Sequence, residues 1–558
     1  MVTNLEIAEA FELMGKLMEL HGENSFKAKS YSSAAYTIEK LDATLDGMDS
    51  ETMGSLNGIG TAIRQKILTF IQTGHIKFLD ELLSKTPIGV LEMMNIKGLG
   101  PKKVSMLWNE LQIESIGELE YACNENRLTL LKGFGDKTQA SVLKNIEFYK
   151  SSKSYYRFAE IEMLAESVRS FFTERLNCTV EFTGEFRRRM EVLQQIDLIM
   201  IRPEDSLLQK AIIEAKMKIE EEGNDYIKLK TETKVVVVLH FSNTENFYQQ
   251  LFVTTGSKLF VDSVLKNIDL KNRTAIDSEM DIFLSANLPF INPENREEAM
   301  DELYSTNDII QLNQIKGVVH AHSNWSDGRC TIEEMANESI KKGYEYLCLS
   351  DHSQSAFYAN GLTPDRLTKQ WEEVDVLNKK LAPFKIFKGV ESDILFNGNL
   401  DYESNVLDKF DFVIASIHSN FKMSKEKATE RIVTAIQNPF TTILGHPTGR
   451  LLLSREGYPV DMMEVIKACA KHNVIIELNA HPWRLDIDWR LIQKATEAGV
   501  KISINPDAHN LTGIGDIRYG VMVAQKGGLK YSETFNALSR EEVSKYFENR
   551  KSGIKQSV

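Results

Sequence analysis

The chain has 558 residues, 42% of them hydrophobic and 26% charged, with a net charge of −13. That length exceeds one hydrophobic core and predicts roughly three to five domains of ordinary globular composition. The acidic balance excludes a uniformly basic nucleic-acid coat, the apolar runs are too short to span a membrane, and the five scattered cysteines fit a reducing cytoplasm without structural disulfides.

The N-terminal stretch MVTNLEIAEAFELMGKL carries acidic residues at helical spacing, so it reads as neither a signal nor a transit peptide. Residues 1–150 read as nearly continuous amphipathic helix broken by three similar turns: LNGIGTAIRQKI (56–67), IKGLGPKKVSML (96–107) and LKGFGDKTQASVL (131–143). Each has an apolar residue, a glycine pair (Gly58 and Gly60, Gly98 and Gly100, Gly133 and Gly135) and then a helix. Glycine lets a backbone approach a phosphate, and the helix start offers free N–H groups and a positive dipole. The threefold repeat makes these turns more specific candidates for close approach to phosphate than a single glycine pair would be. GPKKVS (100–105) and EFRRRME (185–191) supply local basic clusters, so DNA affinity is expected to be modest and salt-sensitive.

Residues 151–240 read as α/β. YRFAEIEMLAESVRSFFTERL (156–176) has a helical pattern, and CTVEFTG, IDLIMIR and KVVVVLHF read as strands.

The C-terminal half holds the strongest signal. Seven apolar runs, each strand-like, end in polar residues: VVHAH (318–322), YLCLSDH (346–352), IFKGVES (386–392), FVIASIH (412–418), TTILGHP (441–447), VIIELNA (474–480) and ISINPDAH (502–509). Helical stretches such as TIEEMANESIKKG (331–343) and EKATERIVTAIQN (426–438) alternate with them. This alternation predicts a parallel α/β barrel, whose site forms at the C-terminal strand ends. The runs, with Asp327 five residues after the first, deliver His320, His322, Asp327, His352, Glu391, His418, His446, Asp507 and His509, which include six of the eleven histidines. Residues i and i+2 of a strand share a face, so His320 and His322 can reach one metal. Imidazole and carboxylate together suit Zn²⁺, Mn²⁺ or Fe²⁺. Nine ligands exceed what one ion takes, which points to two or three divalent ions and to phosphoester hydrolysis. His472 and His481 fall outside the pattern and read as surface or structural residues.

The motifs HAHSNWSDG (320–328), SDHS (350–353), GVESDIL (389–395), ASIHSNF (415–421), LGHPTGRLL (444–452) and NPDAH (505–509) resemble those of the polymerase-and-histidinol-phosphatase (PHP) domain. The nearest variant is the one fused to bacterial and archaeal family X DNA polymerases, over residues 315–558. The resemblance implies a distorted (β/α)7 barrel with three metals. His320, His322, Glu391 and Asp507 would hold the first. Glu391, His418 and His446 would hold the second, with Glu391 bridging, and Asp327, His352 and His509 the third. It implies 3′–5′ removal of nucleotides, with 3′-phosphates and abasic sites as further substrates.

The likeness to family X extends N-terminally. The glycine turns resemble helix-hairpin-helix motifs, in a lyase-like domain (1–85) and a fingers-like domain (86–150). HGENSFKAKSYSSAA (21–35) resembles the 5′-phosphate pocket, with Lys27 and Tyr31 at matching positions, and Lys66 falls at the Schiff-base lysine of members with lyase activity. GEFRRRMEVLQQIDLIM (184–200) resembles the nucleotidyltransferase signature of a palm (151–240), followed by a thumb-like region (241–290) and a linker (291–314). Phosphoryl transfer in such a palm needs three aspartates for two Mg²⁺. Here Gln195 and Asp197 stand at the D-x-D position, and Val238 stands where the third acid is expected. Glu185 replaces a small hydroxyl residue facing the triphosphate. VTTGS (253–257) keeps the Thr-Gly-Ser of the thumb without its aromatic pair. The palm therefore reads as degenerate.

Together these features predict a multidomain α+β and α/β protein. Its expected activity is metal-dependent 3′–5′ exonuclease or phosphoesterase action on gapped, nicked or 3′ DNA ends, without sequence preference and without a membrane. A non-catalytic DNA-binding scaffold and a histidinol-phosphatase-like enzyme are the alternative readings.

Overall fold

The computed structural model describes residues 2–39, 41, 44–56, 58–150, 155–266, 268, 276–298 and 308–557. Asn57 of the first glycine turn, part of the thumb-like region and residues 299–307 of the expected linker lie outside them. Two compact units form: Met1–Asn124 with Leu128–Lys150, and Glu125–Arg127 with Ser151–Val558.

The first unit is helical, with helices at Asn4–Leu20, Ser25–Glu39, Ser50–Gly54, Thr61–Thr73, Lys77–Lys85, Ile88–Met93, Pro101–Leu111, Ile116–Asn124 and Asp136–Lys150. One apolar core joins Phe11 and Leu17 to Ile67, Leu82, Leu107, Phe134 and Ile146, so the lyase-like and fingers-like stretches share it. The three glycine turns are built alike. Gly58, Gly98 and Gly133 take φ of +83°, +90° and +91°. That left-handed conformation favours glycine at the third position of a β-turn. Each turn closes with a backbone hydrogen bond: Ile59 N–H to Leu56 O at 3.1 Å, Leu99 to Ile96 and Phe134 to Leu131 at 3.0 Å. The side chains of Ile59, Leu99 and Phe134 are buried and anchor the turns. Gly60 and Gly100 then cap the helices that follow.

The second unit opens with the short strands β1 (Tyr156–Arg157) and β3 (Val192–Leu193), paired antiparallel around the helix Phe158–Leu176. A five-stranded sheet contains β2 (Val180–Thr183), β4 (Gln195–Ile201), β5 (Lys218–Glu222), β6 (Tyr226–Lys230) and β7 (Val236–Ser242), ordered β2-β4-β7-β6-β5. Only the β4–β7 pair in it is parallel. The arginines of EFRRRME lie here, and the structure corrects their reading as a cationic cluster. Arg187 pairs with Glu279 at 2.5 Å and Arg188 with Glu297 at 2.9 Å, while Arg189 donates to Gln525 Oε1 at 2.7 Å. They knit the sheet to later segments of the unit, and their charge is spent internally.

The rest is a parallel sheet of seven strands in sequential order: β8 (Gly317–Ala321), β9 (Tyr346–Leu349), β10 (Lys385–Asp393), β11 (Phe412–Ser416), β12 (Ile443–Leu444), β13 (Ile475–Asn479) and β14 (Ile502–Asn505). All seven predicted runs carry a strand. A parallel bridge between Ala321 and Ala508 brings the first and last strands together, so the barrel is nearly closed. Val319, Cys348, Phe387, Ile414, Ile443 and Ile475 form one apolar cluster with Phe535 and Phe547. Counting by twos from Cys348, Phe387, Ile414 and Ile475 leads to His352, Glu391, His418 and Glu477. Strand alternation therefore turns an apolar floor into a polar mouth. The helices predicted at 331–343 and 426–438 form at Ile332–Lys341 and Lys425–Gln437. No described helix is long and apolar enough to cross a membrane.

Candidate metal centre

All nine candidate ligands meet at the C-terminal strand ends. Glu391 is the hub: His446 Nε2 lies 2.9 Å and His418 Nε2 3.1 Å from its Oε1, with His320 Nε2 at 3.3 Å. Its Oε2 lies 3.0 Å from His352 Nδ1 and 3.7 Å from His322 Nε2. Asp507 Oδ1 is 3.2 Å from His322 Nε2 and 3.4 Å from His320 Nε2. Asp327 stands 3.4 Å from His509 Nε2 and 3.5 Å from His352 Nε2. Atoms on one tetrahedral ion with bonds of about 2.05 Å would be about 3.3 Å apart. Three overlapping groups could each hold an ion: His322, Asp327, His352 and His509; His320, His322 and Glu391; and His352, Glu391 and His418. His322 and His352 thus face two groups each, a sharing the motif resemblance does not imply.

The local backbone differs from the simple strand picture. His320 has φ of +65° and sits at a register shift between Val319 and Ala321. His320 and His322 therefore meet through a bulge, with ring centroids 5.2 Å apart, and not through regular alternation. Asp507 is also left-handed, at φ +52°. Such conformations concentrate where a fold over-determines a functional geometry.

Outer partners aim the rings inward. His320 Nδ1 meets Glu477 Oε2 at 2.6 Å, His418 Nδ1 meets Asp393 Oδ1 at 2.5 Å, and His509 Nδ1 meets the Asp507 carbonyl at 2.9 Å. This leaves the Nε2 atoms of all three rings pointing at carboxylates. His320 Nε2, both ring nitrogens of His322, Asp327 Oδ2 and His509 Nε2 are buried without a hydrogen bond among the described residues. Buried imidazole and carboxylate atoms converging without hydrogen bonds suit a cation. Glu477 and Asp393 were not singled out from sequence. Glu477 could have been, as the one acid inside the apolar run VIIELNA with the same strand parity as Asn479. Its Oε1 also accepts from His446 N–H and Asn479 Nδ2, both at 2.9 Å.

Burial is the main cause that lowers His322 and His446 to about 4, helped by His509 and His352 beside the first and Arg484 beside the second. Burial also pushes His418 down, but Glu391 and Asp393 outweigh it and carry that ring up to about 9. Burial alone would raise Asp327, Glu391 and Asp507, yet the surrounding histidines hold all three well below the usual carboxylate range. At neutral pH the centre therefore offers ionised carboxylates and at least two neutral rings, the forms that ligate metals.

Residues 2–76 match the helix-hairpin-helix domain family, and residues 319–481 match the PHP domain family. The chain is 33% identical over 564 residues to the DNA polymerase/3′-5′ exonuclease PolX of Bacillus subtilis (strain 168), covering 97% of this chain and 98% of that protein. The chain belongs to the PolX family. Shorter similarities run to a probable phosphatase of Thermoanaerobacter sp. (strain X514), 32% identical over 36% of this chain and 80% of that protein. Another, of Caldanaerobacter subterraneus subsp. tengcongensis, is 27% identical over 40% of this chain and 87% of that protein. The PHP match ends at residue 481, whereas the barrel continues to β14 and reaches Asp507 and His509 beyond it.

In the five-stranded sheet Asp197 and Val238 are register partners on adjacent parallel strands. The Asp197 carboxylate is taken up by neighbours: Gln195 Nε2 donates to Oδ1 at 2.9 Å, and His240 Nε2 lies 3.0 Å from the same oxygen. Gln195, Asp197 and Val238 thus lie together, with His240 beside them, and Asp197 is the one acid of the four. Glu185 is half-buried, and that burial pushes its carboxyl pKa up. In the helical unit, Lys66 Nζ stands 5.8 Å from the Tyr31 ring centroid. Lys27 is exposed on the helix that carries Tyr31. Lys103 Nζ donates to Gly98 O at 3.2 Å and sits 5.6 Å from the Phe134 ring, so the second and third glycine turns adjoin.

Proposed function

We propose that this chain is a metal-dependent 3′–5′ phosphodiesterase acting on DNA ends at its PHP centre, and that its palm no longer polymerises. The observation that carries this reading is the convergence of His320, His322, Asp327, His352, Glu391, His418, His446, Asp507 and His509, with His320 Nε2, both His322 ring nitrogens and His509 Nε2 left without hydrogen bonds among the described residues. The name of the Bacillus relative, DNA polymerase/3′-5′ exonuclease, supports the same activity. Zn²⁺, Mn²⁺ or Fe²⁺ would bind, with His320, His322, Glu391 and Asp507 on the first ion, Glu391, His418 and His446 on the second, and Asp327, His352 and His509 on the third.

Such ions, when bound, lower the pKa of water and offset the charge of the phosphoryl oxygens. The protein's part is to fix them. Glu477 and Asp393 orient His320 and His418, and Glu391 links the groups. The glycine turns at Gly58–Gly60, Gly98–Gly100 and Gly133–Gly135 would hold the DNA backbone without reading sequence, with a monovalent cation at the turns. Lys27 and Tyr31 would meet a 5′-phosphate at gaps or nicks, and Lys66 is the candidate lyase amine. The subdivision at 85, 150, 240, 290 and 314, and a cytoplasmic location, belong to the same reading.

The test is a 3′-recessed primer-template with Mn²⁺, with and without dNTPs. Shortening in both arms is expected. Extension with dNTPs, or no change to the primer, contradicts the proposal. The similarity to probable phosphatases favours one second reading, a small-molecule phosphomonoesterase, which predicts hydrolysis of p-nitrophenyl phosphate and an intact primer.

A further inference from the structure

Two phenylalanines that the metal centre does not use stand on loops that follow its ligands. Phe357 is 76% exposed and Phe396 57% exposed. Each lies five residues after a candidate ligand, Phe357 after His352 and Phe396 after Glu391. Both loops are tied to the centre. Ser355 Oγ donates to Asp393 Oδ2 at 3.0 Å, and Ser355 N–H donates to Asp401 Oδ2 at 2.7 Å. Asp393 in turn holds His418 Nδ1 at 2.5 Å. Phe357 is two residues from Ser355 and Phe396 three from Asp393, so chain length alone keeps each within roughly 11 Å of its end of that contact.

The loop bearing Phe396 is braced. Ile394 bridges to Leu400, and Leu395 N–H donates to Asn399 O at 2.8 Å, making a tight hairpin with Phe396 near its tip. Gly398 takes φ of +89° and packs so closely on Thr434 that a Cβ would fall 2.5 Å from that side chain. The buried Arg431 guanidinium donates to the carbonyls of Ile394, Leu395 (2.9 Å) and Ser419 (3.0 Å), joining the hairpin to the loop after His418. Lys427 Nζ lies 5.3 Å from the Phe396 ring centroid.

A single exposed apolar residue is ordinary on a protein surface. An exposed ring on a hairpin fixed in place, with the Lys427 ammonium beside it (held at 3.1 Å by the exposed Glu430) and candidate metal ligands a few residues away along the chain, fits a particular ligand. A flat base can stack on a preset ring without ordering it first, and the lysine suits the neighbouring phosphate in a chain whose net charge is −13. We propose that Phe396 and Phe357, with Lys427 beside Phe396, form a stacking subsite for the unpaired bases next to the 3′ end of a DNA strand. The inference rests on the phosphodiesterase reading and narrows its substrate class to single-stranded or frayed 3′ ends. Every base has a π face, so the subsite is indifferent to sequence.

The experiment uses the full chain and single-stranded DNA ending in 3′ 2-aminopurine, whose fluorescence falls when the base stacks. In EDTA, where nothing is cleaved, binding to the wild type should quench the probe. Phe396→Ala and Phe357→Ala should weaken the quench and raise Kd on the order of tenfold. Phe396→Trp should restore both. In Mn²⁺, KM for this strand should rise similarly in the alanine variants, with a smaller change in kcat. An unquenched wild-type complex, or alanine variants with wild-type quenching and KM, overturns the subsite. A wild type that quenches the probe but cuts no DNA overturns the phosphodiesterase reading instead.

Discussion

His320 Nδ1 lies 2.6 Å from Glu477 Oε2, and the same ring turns its Nε2 to Glu391 at 3.3 Å and Asp507 at 3.4 Å. A carboxylate behind a ligating imidazole fixes its tautomer and raises its basicity. Glu477→Gln should therefore lower metal affinity by about 10- to 100-fold, read as the Mn²⁺ concentration giving half-maximal activity, while saturating metal recovers most of the rate. Unchanged metal dependence would mean that Glu477 only fills space.

The metal-free protein should have a peaked pH–stability profile. His322 and His446 titrate near 4 in the folded chain against 6.5 unfolded. Between those values the unfolded chain binds more protons, so stability falls as pH drops. His418 is raised to about 9, so its contribution is full below 6.5 and is lost as pH rises through 9. The melting temperature in EDTA should be highest near pH 6.5, and His418→Asn should make the alkaline limb shallower, the raised His320 and His509 keeping the rest of it. An unchanged alkaline limb in that variant would contradict the raised ring.

DNA binding should be separable from folding at the second glycine of each turn. A Cβ at Gly100 would meet nothing within 4 Å, and Gly100 has an ordinary φ of −80°. Gly100→Ala should cost under about 1 kcal/mol of stability, as the loss of a glycine cap. It should still weaken binding to duplex DNA several-fold if a phosphate approaches that backbone. Gly98→Ala, at φ +90°, should instead destabilise the helical unit by about 1–2 kcal/mol. Equal effects of the two substitutions on binding and melting would count against the phosphate contact.

Template-directed extension should be absent. Val238 faces Asp197 across the parallel pair and supplies no oxygen, and Asp197 Oδ1 is already shared with Gln195 and His240. One carboxylate cannot offset the charge that two metals normally balance. Steady-state incorporation of a single dNTP on a gapped template measures this. Incorporation abolished by Asp197→Ala would show that one acid is enough.

The barrel was readable because its strands are apolar runs punctuated by polar ends, and buried parallel strands have few other patterns. The nine inward residues followed from those ends. What sequence concealed was local. His320 and His322 meet through a bulge at φ +65°, which no spacing rule announces. Glu477 and Asp393 lie inside strands β13 and β10, where an acid looks like an interruption of an apolar run. The arginines of EFRRRME seemed available to phosphate, yet Glu279 and Glu297, about a hundred residues later, consume two of them, a long-range pairing that composition cannot reveal. The three glycine turns were legible because a left-handed residue at a fixed place demands glycine.

The most direct test of the central claim is a 5′-labelled single-stranded or 3′-recessed DNA incubated with Mn²⁺ and either wild type or His320→Ala, with bound metal and DNA affinity measured on the same preparations. The wild type should shorten the strand stepwise from its 3′ end, and the variant should lose both shortening and bound metal with DNA affinity nearly intact. Wild-type shortening by His320→Ala would contradict the claim.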